Sequence, residues 1–245
     1  MDQAASRHSI SNSHRLRLSL RSNQQKDCDL RGTDEVNQFN DTWTFDGTTW
    51  TQIQTPVSPG ARADAAFAYD KNTQKLVMFG GYQGQFYSRS MYQWTGSDWL
   101  LLNPSTTPYP RAGAVAAYDP AHHNVVMFGG ISDIWVVQNT WTWDGTNWTE
   151  QQPGTQPPPL YFTTGAYDPD AGEVVVFAGG SVGVDQNTTW TWNGKNWTQR
   201  FPSTSPPARE LFGTVWNPST RQFLIFGGDL FSNGALYGDT WQLKK

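Results

Sequence analysis

The sequence predicts an all-β chain of repeated four-stranded antiparallel units, and three observations carry that prediction. An aromatic residue recurs every 49 residues, at Trp43, Tyr92, Trp141 and Trp190, with a further copy at Trp241. A tryptophan follows each of the first four by seven positions: Trp50, Trp99, Trp148 and Trp197. Glycine doublets stand at Gly80-Gly81, Gly129-Gly130, Gly179-Gly180 and Gly227-Gly228, separated by steps of 49, 50 and 48. A repeat of this length marks stacked supersecondary units, each burying its apolar surface on its neighbours.

The copy from Ala114 to Trp148 reads as four strands. Ala114-Val115-Ala116-Ala117-Tyr118 is small and apolar, and Asp119-Pro120 opens a turn after it. Val125-Val126-Met127-Phe128 is apolar without alternation, which suits a strand covered on both faces, and Gly129-Gly130 ends it. Trp141-Thr142-Trp143 alternates. Asp144-Gly145 then signals a hairpin, because glycine takes positive φ without a Cβ clash. Trp148 lies on the fourth strand, and Pro153 and Pro157-Pro158-Pro159 break the pattern before the next copy. A four-stranded meander repeated in this way predicts the blades of a β-propeller. The small first strand suits the crowded axis. The tryptophans suit the wedge between diverging blades, where one ring removes about 150–250 Å² from water.

The repeat begins near residue 39, so the expected division is a leader at 1–38 and a propeller at 39–245. Of the chain's 17 basic and 21 acidic residues, Met1–Lys26 holds five and one, leaving 12 and 20 for the rest. The leader lacks the apolar core of a secretory signal. It reads as a disordered or non-native basic segment, preferred over an arm for nucleic acid or an anionic membrane. Arg31-Gly32 stands where a decayed glycine doublet would fall. The strands near Trp43 and Trp50 are then the third and fourth of a blade, and three full blades follow, ending near Trp99, Trp148 and Trp197. A first strand near Phe212–Trp216, a second at Phe223–Phe226 and a third at Thr240–Leu243 complete the chain. That gives about five blade-equivalents, either imperfectly closed or forming an arc of a larger ring. Imperfect closure is the preferred expectation.

The glycine doublet followed by two aromatics seven positions apart resembles the kelch repeat. The wording N-T-W-T-W-D-G is similar to the bacterial type related to the central domain of galactose oxidase. The resemblance covers about residues 39–245 and implies a propeller, a fold that in this family usually closes with six or seven blades. It does not extend to copper oxidase chemistry, because the one cysteine, Cys28, lies outside the repeats.

No apolar run reaches the 18 or so residues of a membrane helix. No signal peptide is legible, so the sequence leaves the compartment unknown; it is expected to be extracytoplasmic if the native N-terminus is missing. Asp70, Asp119 and Asp168 recur at one repeat position after a tyrosine, as do Asp46 and Asp144 in their turns, so turn formation outweighs acid–base chemistry. His122 and His123 sit in a turn without a third ligand at metal spacing, and no metal or cofactor is expected. Thr44–Trp50 is similar to the Asp-box of sialidases, but its aspartate and glycine are adjacent and no arginine triad accompanies it. Asn147 and Asn196 head N-x-T triplets, yet both belong to the repeated wording.

The expected function is therefore a non-catalytic binding module, not an enzyme, whose partner is a protein or glycan and not a nucleic acid. The alternative is an enzyme acting on a sugar-like molecule at the central mouth, where Arg209 and Glu210 are the adjacent acid–base candidates. Antiparallel order puts the connections between second and third strands on the same face as the proline links. Those connections, 82–90, 131–138, 181–187 and 229–237, vary between copies and carry Tyr82, Phe86, Tyr87, Trp135, Phe231 and Tyr237. The links end in Arg62, Arg111 and Arg209, with Leu160 at that position in the third full blade. In kelch proteins that recognise acidic peptides, arginines after the link proline line the mouth, and the resemblance implies the same here. The candidate ligand-binding residues are Arg62, Arg111, Arg209, Trp135 and Tyr87. The competing reading gives the arginines a bridging role within the scaffold.

Overall fold

The computed structural model describes residues 27–30, 39–133, 135–182, 184–230 and 234–243. All regular structure among them is β. Five sheets follow one another along the chain as propeller blades. Blade 1 holds β1 (Asp27–Leu30), β2 (Thr42–Phe45) and β3 (Trp50–Ile53). Blade 2 holds β4 (Ala66–Asp70), β5 (Lys75–Phe79), β6 (Met91–Trp94) and β7 (Trp99–Leu102). Blade 3 holds β8 (Val115–Asp119), β9 (Asn124–Phe128), β10 (Thr140–Trp143) and β11 (Trp148–Gln151). Blade 4 holds β12 (Thr164–Asp168), β13 (Glu173–Ser181), β14 (Val184–Trp192) and β15 (Trp197–Arg200). Blade 5 holds β16 (Gly213–Asn217), β17 (Gln222–Phe226) and β20 (Thr240–Leu243), with the short pair β18 (Asp229–Leu230) and β19 (Ala235–Leu236) between the last two.

Blade 1 is one strand larger than the repeat alone suggests. β1 pairs antiparallel with β2, Leu30 opposite Thr42, and so occupies the second-strand position inside the segment set apart as leader. The rest of that segment, residues 1–26 and 31–38 with Arg31-Gly32, lies outside the described residues.

The first strands are innermost, and β4, β8, β12 and β16 pack side by side in that order. Small residues make this approach possible: Ala66 and Ala68 on β4, Ala117 on β8 and Gly165 on β12. Each second strand then buries alternate residues against opposite neighbours. Val77 and Phe79 meet blade 3, for example, while Leu76 and Met78 meet blade 1.

Towards the rim the blades diverge, and a fourth-strand tryptophan fills each gap. Trp99, Trp148 and Trp197 are buried and reach back to the preceding blade's third strand. Their indole N–H groups donate to Thr42 Oγ1 (2.9 Å), Met91 Sδ (3.2 Å) and Thr140 Oγ1 (2.8 Å). The donor always lies 57 residues after its acceptor. Trp148 packs edge-on against Phe79 at 5.5 Å, and Trp197 packs tilted against Phe128 at 5.1 Å. Between blades 4 and 5 no described residue plays this part. Phe177 packs on Phe212 instead, and a cavity lined by Val175, Phe177, Thr189, Ile225 and Trp241 remains.

Trp50 and Phe226, whose equivalents in the inner blades are core residues, are exposed. The described residues thus show five blade-equivalents in sequence, with the joint-forming side chains of the first and last blades exposed to solvent.

The glycine doublets do not align quite as the sequence spacing suggests. Gly81, Gly130 and Gly179 each donate an N–H across the joint, to the carbonyls of Arg111 (2.8 Å), Leu160 (2.7 Å) and Arg209 (3.0 Å). The true counterparts of Gly80-Gly81 in blade 4 are therefore Ala178-Gly179, which restores a constant 49-residue step. Ala178 takes the left-handed conformation, φ 52°, that Gly80 and Gly129 take elsewhere. A β-bulge between Phe177 and Gly179 accompanies the change, and the pairing runs on through Ser181 opposite Val184. Residues 181–187, expected as a variable loop, are mostly the tip of this extended hairpin.

Two predictions follow from this packing. Trp148→Ala should lower stability by about 3–5 kcal/mol in chemical denaturation, because it opens the joint between blades 2 and 3. Gly172 holds a left-handed turn position (φ 70°) shared by Gln74, His123 and Arg221, and a Cβ there would meet only the Tyr167 hydroxyl at 3.9 Å. Conformation alone should then decide the outcome: Gly172→Val costs about 1–2 kcal/mol, whereas Gly172→Asn is tolerated.

Candidate functional site: the loop face

The proline links and the second-to-third strand connections meet on one face in every full blade. Isolated antiparallel bridges tie them together, Ala63 to Tyr82, Ala112 to Ile131, Tyr161 to Gly180 and Glu210 to Asp229, all at one repeat position. Tyr82 and Tyr87 make a further bridge within their loop, as do Ile131 and Val136. This face is therefore held by backbone hydrogen bonds as well as by the blades beneath it.

Arg62, Arg111 and Arg209 are buried beneath this face, and their guanidinium groups bind their own blades. Each Nη1 donates to the carbonyl at the glycine doublet: Gly80 O (2.7 Å), Gly129 O (3.0 Å) and Gly227 O (2.8 Å). Each Nη1 also reaches the residue two before the third-strand aromatic, namely Ser90 Oγ (3.1 Å), Asn139 Oδ1 (2.7 Å) and Asp239 Oδ1 (2.6 Å). Each Nε binds a link carbonyl, at Gly60, Tyr109 and Pro207. The guanidinium of Arg62 also lies 5.5 Å from the Tyr92 ring centre, and that of Arg209 lies 4.3 Å from Tyr237.

The third partner differs between blades, and the electrostatics differ with it. Burial pushes Arg62 and Arg111 down to about 10, with Tyr92 and Glu150 respectively opposing the shift. Both remain charged at neutral pH. Arg209 has a full carboxylate partner, since Nη2 also binds Asp239 Oδ2 at 2.9 Å. Its hydrogen bonds hold Asp239 down at about 2, helped by the indole N–H of Trp241 at 2.6 Å.

The aromatics are arranged quite differently. Tyr87 is half-buried against Tyr82, ring centres 5.2 Å apart. Trp135 is 54% exposed on its loop, which is closed by bonds from Ser132 N and Oγ to the Trp135 carbonyl at 3.0 and 3.1 Å. Phe86 is likewise exposed, and Phe231 lies outside the described residues. One residue not nominated from sequence belongs with them. Tyr109 is 69% exposed in the link before Arg111, where the other blades have Gly60, Pro158 and Pro207. Its signal was an aromatic between two prolines at a repeat position otherwise held by glycine or proline.

Between blades 4 and 5 the face carries a second polar group. Glu210 is buried near Tyr161, and a Cβ on Gly180 would fall 2.5 Å from Glu210 Oε2 and 2.6 Å from the Tyr161 ring. Glycine is thus required where the other blades have Tyr82, Ile131 and Asp229. Burial, with the charges of Glu210 and Asp185, pushes the Tyr161 hydroxyl up.

On the opposite face the recurring polar residues serve turns and joints. Asp70, Asp119 and Asp168 are buried, and each accepts two backbone N–H groups of its own turn. His122 Nδ1 lies 2.8 Å from Asp119 Oδ2. The Asn147 and Asn196 side chains accept the link N–H groups of Thr106 and Gly154 (2.9 and 2.8 Å), which accounts for their place in the repeat. No helix among the described residues is long and apolar enough to cross a membrane. Comparison of the chain with protein-family models and with curated proteins returns no match.

The Arg209–Asp239 pair yields a pH prediction. A carboxylate held below its unfolded value contributes stability that is complete above about pH 4 and is lost as pH falls through about 2. Asp239→Asn should therefore cost about 0.5–1 kcal/mol at neutral pH, a modest figure because Asp239 keeps one side in water. The difference between wild type and variant should disappear in acid denaturation curves near pH 2.

Proposed function

We propose that the chain is a non-catalytic binding module that presents its loop face to a protein or carbohydrate ligand. The observation that supports this best is the set of exposed aromatics, Phe86, Tyr109 and Trp135, on loops whose backbone is tied by bridges and buried arginines. Aromatic side chains offer large contact area at small conformational cost, and a pre-formed backbone lowers the entropy lost on binding. Arg62, Arg111 and Arg209 contribute by holding the loops from beneath. Tyr87 contributes as the support of its loop, and Trp135 and Tyr109 as direct contacts. The kelch-like wording of the repeat agrees with this reading, because propellers of that type commonly use this face.

The test is a glycan array and an acidic peptide library probed with the full chain, followed by titration of any hit. Trp135→Ala and Tyr109→Ala should each weaken binding at least tenfold with the melting temperature unchanged. Arg111→Ala should lower the melting temperature as well, since it strips partners from Gly129 O and Asn139. Binding that is lost instead on substitution of Asp46 and Asp144, on the opposite face, would overturn the assignment.

A further inference from the structure

The first and last blades among the described residues carry the two halves of one joint. In the inner joints, the second blade contributes a pair of tilted, contacting aromatics: Trp94–Trp99 at 5.2 Å, Trp143–Trp148 at 5.6 Å and Trp192–Trp197 at 5.4 Å. Blade 1 builds the same pair, Phe45–Trp50 at 4.9 Å, with Trp43 beside it on β2. The inner tryptophans of this position are 1–2% exposed, whereas Trp50 is 40% exposed.

The receiving half of each joint is a second-strand phenylalanine beside the first residue of the third strand. Phe79 with Met91 receives Trp148, and Phe128 with Thr140 receives Trp197. Blade 5 presents the same surface outward, with Phe226 in the place of Phe79 and Phe128, and Thr240 in the place of Thr140. The inner phenylalanines are at most 3% exposed, and Phe226 is 60% exposed. Val215, in the place of the buried Ala68 and Ala117, widens the apolar area. One end thus carries a tryptophan with an N–H to donate, and the other carries the phenylalanine and threonine that accept such a tryptophan inside the same molecule.

We infer that the chain associates head to tail with a second copy of itself, blade 5 of one molecule receiving blade 1 of the next. Trp50 lies against Phe226 of the next copy and donates its indole N–H to the Thr240 hydroxyl, as Trp197 does to Thr140. The contact is heterologous, since two different patches meet, and it leaves one patch of each kind free at the ends of a dimer. Longer assemblies follow with rising concentration unless the curvature closes them into a ring.

The experiment is sedimentation velocity across a concentration series, with three samples. Wild type should form dimers and larger species. Trp50→Ala and Phe226→Asp should each raise the dissociation constant at least tenfold, because each removes one patch from every copy. An equimolar mixture of the two variants should form a one-to-one heterodimer and stop there, because only one competent pair of patches remains. Phe226 is the more exposed of the two, so Phe226→Asp should keep the wild-type circular dichroism, whereas Trp50→Ala also removes the contact with Phe45 and should lower the melting temperature slightly with the blades still folded. A wild type that stays monomeric overturns the inference, including the case in which Trp50 resists a collisional quencher because the two ends close on each other within one chain. A single variant that still associates, or a mixture that stays monomeric, overturns it equally.

Discussion

The tryptophan that crosses each joint is the interaction on which the array depends. Blades diverge from the axis, so the space between them is widest where the fourth strand runs. Only the largest side chain fills it, and a buried indole needs a partner for its N–H. The first residue of the preceding third strand supplies that partner, a threonine hydroxyl in two joints and a methionine sulfur in the third. Blades 2, 3 and 4 are each thereby tied to the one before by packing and by a directional bond. Stability in such an array is close to a sum of nearest-neighbour joints. The joint between blades 4 and 5 is made by Phe177 and Phe212, with Trp241 packed against their cluster, and a partly open cavity lies beside them.

The buried arginines solve a different problem. The turn at the glycine doublet ends the ladder between second and third strands and turns carbonyls inward. In blades 2, 3 and 5 a guanidinium satisfies one of them, and a fork of donors serves two or three acceptors at once. Blade 4 uses another arrangement. Leu160 replaces the arginine, and β13 and β14 continue pairing past the doublet, Gly179 opposite Gln186 and Gly180 opposite Asp185. The ladder thus resumes on the far side of Ala178, which itself stands outside the register. The substitution at 160 and the bulge at Ala178 thus belong to a single local change.

Most of the fold was legible because period and side-chain size report directly on packing. The second strands, the tryptophan positions and the two turn chemistries all follow from the sequence. β1 did not, because Asp-Cys-Asp-Leu has no apolar run of the kind that marks β5 or β9. The register of the doublet in blade 4 was hidden by Ala178, which adopts a conformation that a sequence reading reserves for glycine. The depth of the arginines was hidden too, since their acceptors are carbonyls 18 residues away that carry no side-chain signal. Charge in a link suggests a surface, and only the three-dimensional arrangement shows the carbonyls converging on it. Tyr109 was overlooked because attention fell on connections that vary, while it stands inside a link that otherwise repeats.

The constant separation of 57 residues between a joint's donor and acceptor has an evolutionary consequence. It is one repeat plus a fixed remainder, so both partners lie within two adjacent copies wherever those copies stand in the chain. Copying or deleting a whole 49-residue unit leaves each remaining joint with a donor at the same distance from its acceptor. No joint encodes how many blades there are. A whole unit gained or lost by unequal exchange therefore leaves the remaining blades in contact, because no joint reaches beyond two adjacent copies.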